Sequence, residues 1–234
     1  MIIKNKHSKR YKNIKNYIKD PLYSISDAVC LLKKLGTAKF IETIESHISL
    51  NLNSKNGYQQ IRSIITLPYY NLSKSRKIAV LSHEINTSKF LKAGATIVGY
   101  DSLLADIRNN KITFDLLLTT PDLMAEVVKL GPILGPKGLM PSIKSGTITN
   151  NIEETISEYN KGKIELKADK FGIVHMPIGK VNLKEDFLIK NLLNIYSSIN
   201  KIKPVNIKGQ FIKSFYICTT MSPSIQIDLN SLYI

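Results

Sequence analysis

Apolar and polar residues alternate from residue 44 to 52, with Ile44, Ile48, Leu50 and Leu52 on even positions and Glu45, His47, Ser49 and Asn51 on odd ones. A period of two predicts a strand with one buried face. Ahead of it, residues 24–36 read as a helix. Ser24 and Asp27 have capping-box spacing, Ile25, Ala28, Val29, Leu32 and Leu35 form one stripe, and Gly36 stops it. Asn56-Gly57 predicts a turn into a second strand over residues 61–67, ended by Pro68.

The pattern then changes. Residues 77–81, 96–98 and 114–118 are short continuous apolar runs, each followed by a helical stretch, over 87–93, 101–109 and 121–130. Strands apolar on both sides, alternating with helices, predict a small parallel sheet covered on both faces. A Gly/Pro-rich stretch follows over 131–146, then a helix over 152–159. Alternation returns over 163–166 and 173–176 around a turn at 169–172, which reads as a hairpin. A long helix over 184–202 carries Leu188, Leu192, Ile195, Ile199 and Ile202 on one face, and strands over 211–220 and 224–229 close the chain. The expected fold class is therefore α/β in two domains. A discontinuous α+β domain comprises residues 1–69 and 162–234, and a doubly wound α/β domain is inserted at 70–161.

Charge sharpens that division. The 234 residues carry 33 Lys+Arg against 18 Asp+Glu, a net +15. Such an excess attracts polyanions, but Ile, Lys and Asn make up 82 residues while Arg occurs four times, a bias that an AT-rich genome imposes on any protein. Position decides between the two readings. The terminal segments hold +13 of the charge and the inserted segment +2, whereas a codon bias would spread it evenly. No apolar run reaches the ~18 residues of a membrane span, so a soluble protein with no membrane partner is expected. Cys30 and Cys218 fit neither a disulfide framework nor a zinc site, which points to a reducing compartment and no metal.

The run Gly131-Pro132-Ile133-Leu134-Gly135-Pro136-Lys137-Gly138 invites a test as a phosphate loop. A Walker loop needs Gly-Lys-Ser/Thr opening a helix after a strand, whereas here Pro136 precedes Lys137, Gly138 follows it, and a helix comes before the run. No GxGxxG follows the strand at 77–81 either. A nucleotide-binding enzyme built on the insert remains the rival reading. Against it stand these absences and the lack of any His, Cys and carboxylate cluster around the histidines at 7, 47, 83 and 175. No catalytic residue, cofactor or small-molecule substrate is expected. Glu42 and Glu45 do not form a catalytic pair, since odd and even strand positions face opposite ways.

The stretch GPILGPKGLMPSIKSGTIT (131–149) resembles the signature of the bacterial-type ribosomal protein one family of the large subunit. HSKRYKNI (7–14), TAKFIETIESHISL (37–50), LTTPDLM (118–124), FGIVHMPIGK (171–180) and KGQFIKSFYICTTMSPSIQIDL (208–229) resemble further family segments in the same order, so the likeness spans essentially the whole chain. It implies a terminal ribosomal-RNA-binding domain and a Rossmann-like insert moved by a hinge. The implied role is to hold the large-subunit RNA stalk beside the E site and assist release of deacylated tRNA. Implied partners are that RNA, E-site tRNA, other ribosomal components and the protein's own messenger leader, whose translation bacterial members repress. Off the ribosome the chain is expected to be a monomer.

By the same resemblance, Lys39, Phe40 and Thr43 match one RNA-contacting run, and Thr220 and Met221 its C-terminal counterpart, with Ser214 upstream and His175 on the hairpin. Lys39 can neutralise a phosphate, Phe40 can stack on a base, and the hydroxyls of Thr43, Ser214 and Thr220 can bond 2′-OH or phosphate oxygens. From position alone Phe40 fits the core better than a stacking platform, an order that the resemblance reverses, and His175 fits an ordinary hairpin residue. Glu42 is read as organising neighbouring Lys or hydroxyl groups. Lys129, Lys137 and Lys144 are candidate tRNA contacts on the insert. Ser222 stands where the family usually has Gly, so either the backbone there keeps a negative φ or the RNA stands further off. Ile143 stands where the resembling proteins often have Pro, which implies a less rigid loop. The first 19 residues hold seven basic groups and no acid, but a single Arg and a single Ser, unlike an import peptide. The family match near His7 leaves no room for one. SGTITNN, FGIVH and SIQIDL look closest to cyanobacterial and plastid members, pointing first to a plastid ribosome and second to a bacterial cytoplasm.

Overall fold

The structure, a computed structural model, describes residues 8–52, 61–69, 76–82, 87–204, 207 and 209–232. The Asn56-Gly57 turn, His7 and His83 lie outside them. In chain order the elements are α1 (Lys9–Lys15), α2 (Ile25–Leu35), β1 (Thr43–Leu50), β2 (Arg62–Thr66), β3 (Ile78–Leu81), α3 (Thr87–Ala93), β4 (Ile97–Gly99), α4 (Asp101–Arg108), β5 (Leu116–Thr119), α5 (Met124–Lys129), α6 (Gly131–Leu134), α7 (Ile152–Asn160), β6 (Lys163–Lys167), β7 (Ile173–Lys180), α8 (Glu185–Lys201), β8 (Ile212–Thr219) and β9 (Ile225–Ile227). The fold is α/β. Its contacts divide it into one unit of Met1–Ile61, Leu67–Leu72 and Leu166–Ile234, and a second of Arg62–Thr66 and Ser73–Glu165. The sequence limits at 70 and 161 differ from these because β2 pairs with β6, drawing Arg62–Thr66 into the second unit. Arg62 and Glu165 form an ion pair across those two strands.

The first unit is built on an antiparallel sheet in the order β7-β1-β8-β9. Ile44, Ile48 and Leu50 of β1 point inward with Val174, Met176, Ile178, Phe215, Ile217, Ile225 and Ile227, and α2 and α8 cover that face. Ser24 caps α2 by accepting the Asp27 N–H (3.2 Å), as its spacing predicts. One polar residue, Ser46, breaks the inward row. Its hydroxyl donates to the Met176 carbonyl (3.2 Å), which offsets the cost of burying it. The odd positions, Thr43, Glu45, His47 and Ser49, lie on the other, half-exposed face.

In the second unit β3 lies between β4 and β5, all parallel. Ile78 and Val80 pack with Phe90, Ile152, Ile156 and Tyr159 from α3 and α7, while Ala79 and Leu81 pack with Leu103, Ile107, Val127 and Leu134 from α4, α5 and α6. Both faces of the sheet are thus covered, which is why these strands read as unbroken apolar runs.

Three expectations change. Strands β6 and β7 do not form a hairpin ladder: β6 pairs with β2 and β7 with β1, and one bridge, Ala168 to Val174, joins them. The turn chemistry was present, since Gly172 has φ +78° and its N–H donates to the Asp169 carbonyl (3.1 Å), but turn residues do not choose a strand's lateral partner. Strand β7 also runs through Pro177, which an edge strand tolerates, and a register shift between Ile44 and Glu45 lies beside it. Residues 131–134 are helical rather than loop, with Pro132 in the first turn where a missing N–H costs nothing. The loop at Ile143 is ordered by hydroxyls: Ser145 bonds Ser142 (2.7 Å) and Thr147 (2.9 Å), and Tyr159 donates to the Ser145 carbonyl (2.6 Å).

Candidate nucleic-acid interface

Two loops of the first unit are tied together by one carboxylate. Glu42 is only 2% exposed. Its Oε1 accepts the Ala38 N–H (2.9 Å), and its Oε2 accepts the Thr219 hydroxyl (2.6 Å) and the Met221 N–H (3.0 Å). Burial pushes this carboxyl upward, but the Thr219, Ala38 and Met221 hydrogen bonds and the Arg10 charge hold it net below the usual glutamate value. Arg10, on α1, also donates to the Met221 carbonyl (2.8 Å), so both sides of that peptide segment are held. The expected organising role is met by hydroxyl and backbone groups rather than by a lysine. Glu45, on the half-exposed sheet face, is no partner for buried Glu42.

A second link lies beside the first. The Thr220 hydroxyl accepts the Thr43 N–H (3.1 Å), the Thr220 N–H donates to the Thr43 carbonyl (3.1 Å), and Lys180 donates to the Thr43 hydroxyl (2.7 Å). Around these links Phe40 is 54% and Met221 51% exposed, and Lys39 is exposed too. Phe40 therefore lies outside the core. The structure therefore brings Lys39, Phe40, Glu42, Thr43, Thr220, Met221 and Ser222 together. Ser214 lies further along β8 opposite Ser49, and His175 stands on β7 opposite His47. Lys129, Lys137 and Lys144 are exposed and belong to the second unit.

Ser222 needs no unusual backbone, because Asn110 is the sole non-glycine residue at positive φ among those described. Its hydroxyl oxygen accepts the Thr219 N–H (2.9 Å) and donates to the Pro223 carbonyl (3.0 Å), closing the turn that presents Thr220 and Met221. Ser222→Gly should remove both bonds and loosen the turn, lowering stability by about 1 kcal/mol in denaturant unfolding. An unchanged midpoint would refute this closing role.

Sequence reasoning missed four contributors: Arg10, Lys180, His47 and Tyr216. The last two have a legible signal, since His47 belongs to the odd row of β1 and Tyr216 faces it from β8. Arg10 and Lys180 sit within the segments matched to the family, but only folding sets them against Met221 and Thr43. The His47 and His175 rings are 5.0 Å apart with Nδ1 atoms 2.8 Å apart. No group of His, Cys, Asp or Glu suited to a metal occurs among the described residues.

The fold and the site together define an α/β protein whose two tied loops set Lys39, Phe40 and Met221 on its surface. The Ribosomal protein L1p/L10e family matches residues 32–223, and the chain belongs to that family, which is structural and not enzymatic. It is 47% identical over 226 residues to the "Large ribosomal subunit protein uL1c" of Trieres chinensis, covering 96% of this chain and 98% of that one. The protein of the same name from Phaeodactylum tricornutum is 44% identical, with 97% of each chain covered. The "Large ribosomal subunit protein uL1" of Prochlorococcus marinus (strain MIT 9215) is 43% identical, covering 97% of this chain and 96% of that one. Plastid-type and cyanobacterial relatives thus stand side by side, in keeping with a ribosomal, plastid-type location.

Proposed function

We propose that the chain is a structural constituent of a plastid-type large ribosomal subunit. Its first unit binds the large-subunit RNA stalk through the two tied loops and the adjoining open sheet face. The observation that carries this reading is the carboxylate clamp. Glu42 fixes two loops from opposite ends of the chain so that Phe40, Met221 and Lys39 project outward from a rigid base. Exposed aromatic and thioether side chains offer stacking surface, Lys39 and Lys180 offer phosphate charge, and a backbone already tied by hydrogen bonds loses less entropy on binding. The second unit, almost charge-balanced by sequence, is the part that borders E-site tRNA through Lys129, Lys137 and Lys144 and assists release of deacylated tRNA. The family and the sequence coverage of its ribosomal relatives support this role, as does the +13 carried by the terminal segments.

Binding of the whole chain to a transcript of the stalk RNA tests it. Lys39→Ala should weaken binding and reduce the salt slope by roughly 0.7 to 0.9, the share of one phosphate. Thr220→Val removes the acceptor for the Thr43 N–H and should weaken binding about tenfold. Unchanged affinity in both variants would refute the site. Absence of the protein from gradient-purified large subunits of the source cells, measured by mass spectrometry, would refute the role.

A further inference from the structure

We infer that His47 is a positioning residue for His175: it fixes the tautomer that His175 presents, and the two rings together take up one proton, so that acid strengthens RNA binding at this face. The inference rests on the proposal that this sheet face meets ribosomal RNA.

The hydrogen positions follow from the neighbours. Asp169 Oδ2 lies 3.6 Å from His175 Nε2, outside hydrogen-bond reach but close enough that its negative charge favours the tautomer with a hydrogen, not a lone pair, on Nε2. In the neutral ring His175 Nδ1 is then an acceptor, and the atom 2.8 Å away, His47 Nδ1, must donate. His47 Nε2 is left as an acceptor 3.2 Å from Cys218 Sγ. Burial, with the Glu45 charge, pushes that thiol up to about 11, so it keeps its hydrogen and donates. The result is one directed chain of hydrogen bonds, Cys218 to His47 to His175, with the Asp169 charge beside its far end. Asp169 is itself held in place, its Oδ1 accepting the N–H groups of Phe171 (2.9 Å) and Ile173 (2.7 Å). Burial acts upward on its carboxyl, but those bonds and His175 hold it below the usual range, so it stays ionised.

One added proton reverses the chain. The shared hydrogen moves from His47 Nδ1 to His175 Nδ1, the incoming proton occupies His47 Nε2, and the Cys218 sulfur turns from donor to acceptor. The charge comes to rest on His175, beside Asp169. A second proton is refused, because two N–H groups would then face each other at 2.8 Å. His47 is the less suitable carrier: burial and the His175 charge hold it below the ordinary histidine value, with Glu45 opposing. The titratable groups around the pair are Glu45 on β1, Tyr216 and Cys218 on β8, and Asp169 with Lys170 in the turn before β7. The imidazolium of His175 is half-exposed on the sheet face that also carries Ser214. An RNA phosphate meeting that face gains a cation only in the protonated state.

Nitrogen-15 imidazole spectra of the free chain and its affinity for the stalk transcript at pH 6 and 8, at fixed ionic strength, test this. At pH 8 His47 should carry its hydrogen on Nδ1 and His175 on Nε2, and affinity should rise by up to about tenfold per pH unit on acidification. His175→Gln should abolish the pH dependence. His47→Leu should weaken binding at pH 8, and His47→Asn, whose amide can donate to His175 Nδ1, should restore it. A hydrogen on His47 Nε2 at pH 8, a pH-independent affinity, or equal behaviour of the Leu and Asn variants would each overturn the inference. If the wild-type chain binds no transcript at either pH, the ribosomal-RNA reading falls and the acid effect with it, while the spectra still decide the tautomers.

Discussion

Glu42→Ala should both destabilise the first unit and weaken RNA binding more than any single change at an exposed contact. The substitution leaves three donors, the Ala38 and Met221 N–H groups and the Thr219 hydroxyl, without their acceptor. Hydrogen bonds to a charged group contribute ~1.5 to 3 kcal/mol each, not additively, so a loss of roughly 3 kcal/mol is expected. Glu42→Gln keeps one oxygen and should lose about half of that, since its amide nitrogen must then face a donor. The chain has no tryptophan, so circular dichroism during urea unfolding is the suitable readout. Affinity for the stalk transcript should fall by one to two orders of magnitude in the Ala variant, roughly in step with the freed backbone. Acid should act in the same direction. Because the folded Glu42 carboxyl lies below its ordinary value, its stabilisation is present above the unfolded pKa of about 4.3 and is lost as pH falls through the folded value. An Ala variant that unfolds and binds like the wild type would remove Glu42 from the centre of this site.

The second large effect is expected at Asn191, fully buried on α8. Its Nδ2 donates to the Tyr69 (3.1 Å) and Ile178 (2.8 Å) carbonyls, and its Oδ1 accepts the Tyr69 N–H (3.1 Å). Tyr69 also stacks on Phe187, centroid to centroid 4.2 Å. One side chain therefore stands in for a strand partner, satisfying the backbone of a segment that belongs to no ladder. Asn191→Leu keeps the branching of the side chain but adds bulk and strands these groups, at a cost of roughly 2 to 4 kcal/mol. Asn191→Asp should be destabilising too, because a carboxylate cannot donate to either carbonyl. A Leu variant as stable as the wild type would show that water replaces the amide. Sequence periodicity placed residue 191 on the helix but not its role, since an amide on α8 reveals its partners only when Tyr69 and Ile178 arrive beside it.

Much of the site was legible in pieces. The odd row of β1 and the serine and threonines of β8 were visible, because strand parity and residue chemistry are local properties, whereas the exposure of Phe40 was not, its position alone favouring the core. The resemblance named Lys39, Thr43, Thr220 and Met221 but left Glu42 with a vague role. Hydrogen bonds between Glu42 and Thr219 span 177 residues, and no local pattern encodes them. The turn at 169–172 shows the same limit from the other side. Its Asp and Gly announce a reversal correctly, yet β6 and β7 go to different partners, because lateral pairing depends on which faces can be buried together.

By itself the sequence determined the kinds of element, the covered parallel sheet in the middle of the chain, the half-buried antiparallel strands at its ends, and the basic asymmetry between them. These follow from periodicity and charge, which neighbouring residues carry among themselves. Only the tertiary structure decided that Glu42 closes two distant loops, that Arg10 reaches Met221, and that two histidines from separate strands bring their Nδ1 atoms to 2.8 Å. Each of those depends on groups far apart in the chain reaching hydrogen-bond distance, and such distances are set by packing, not by order along the backbone.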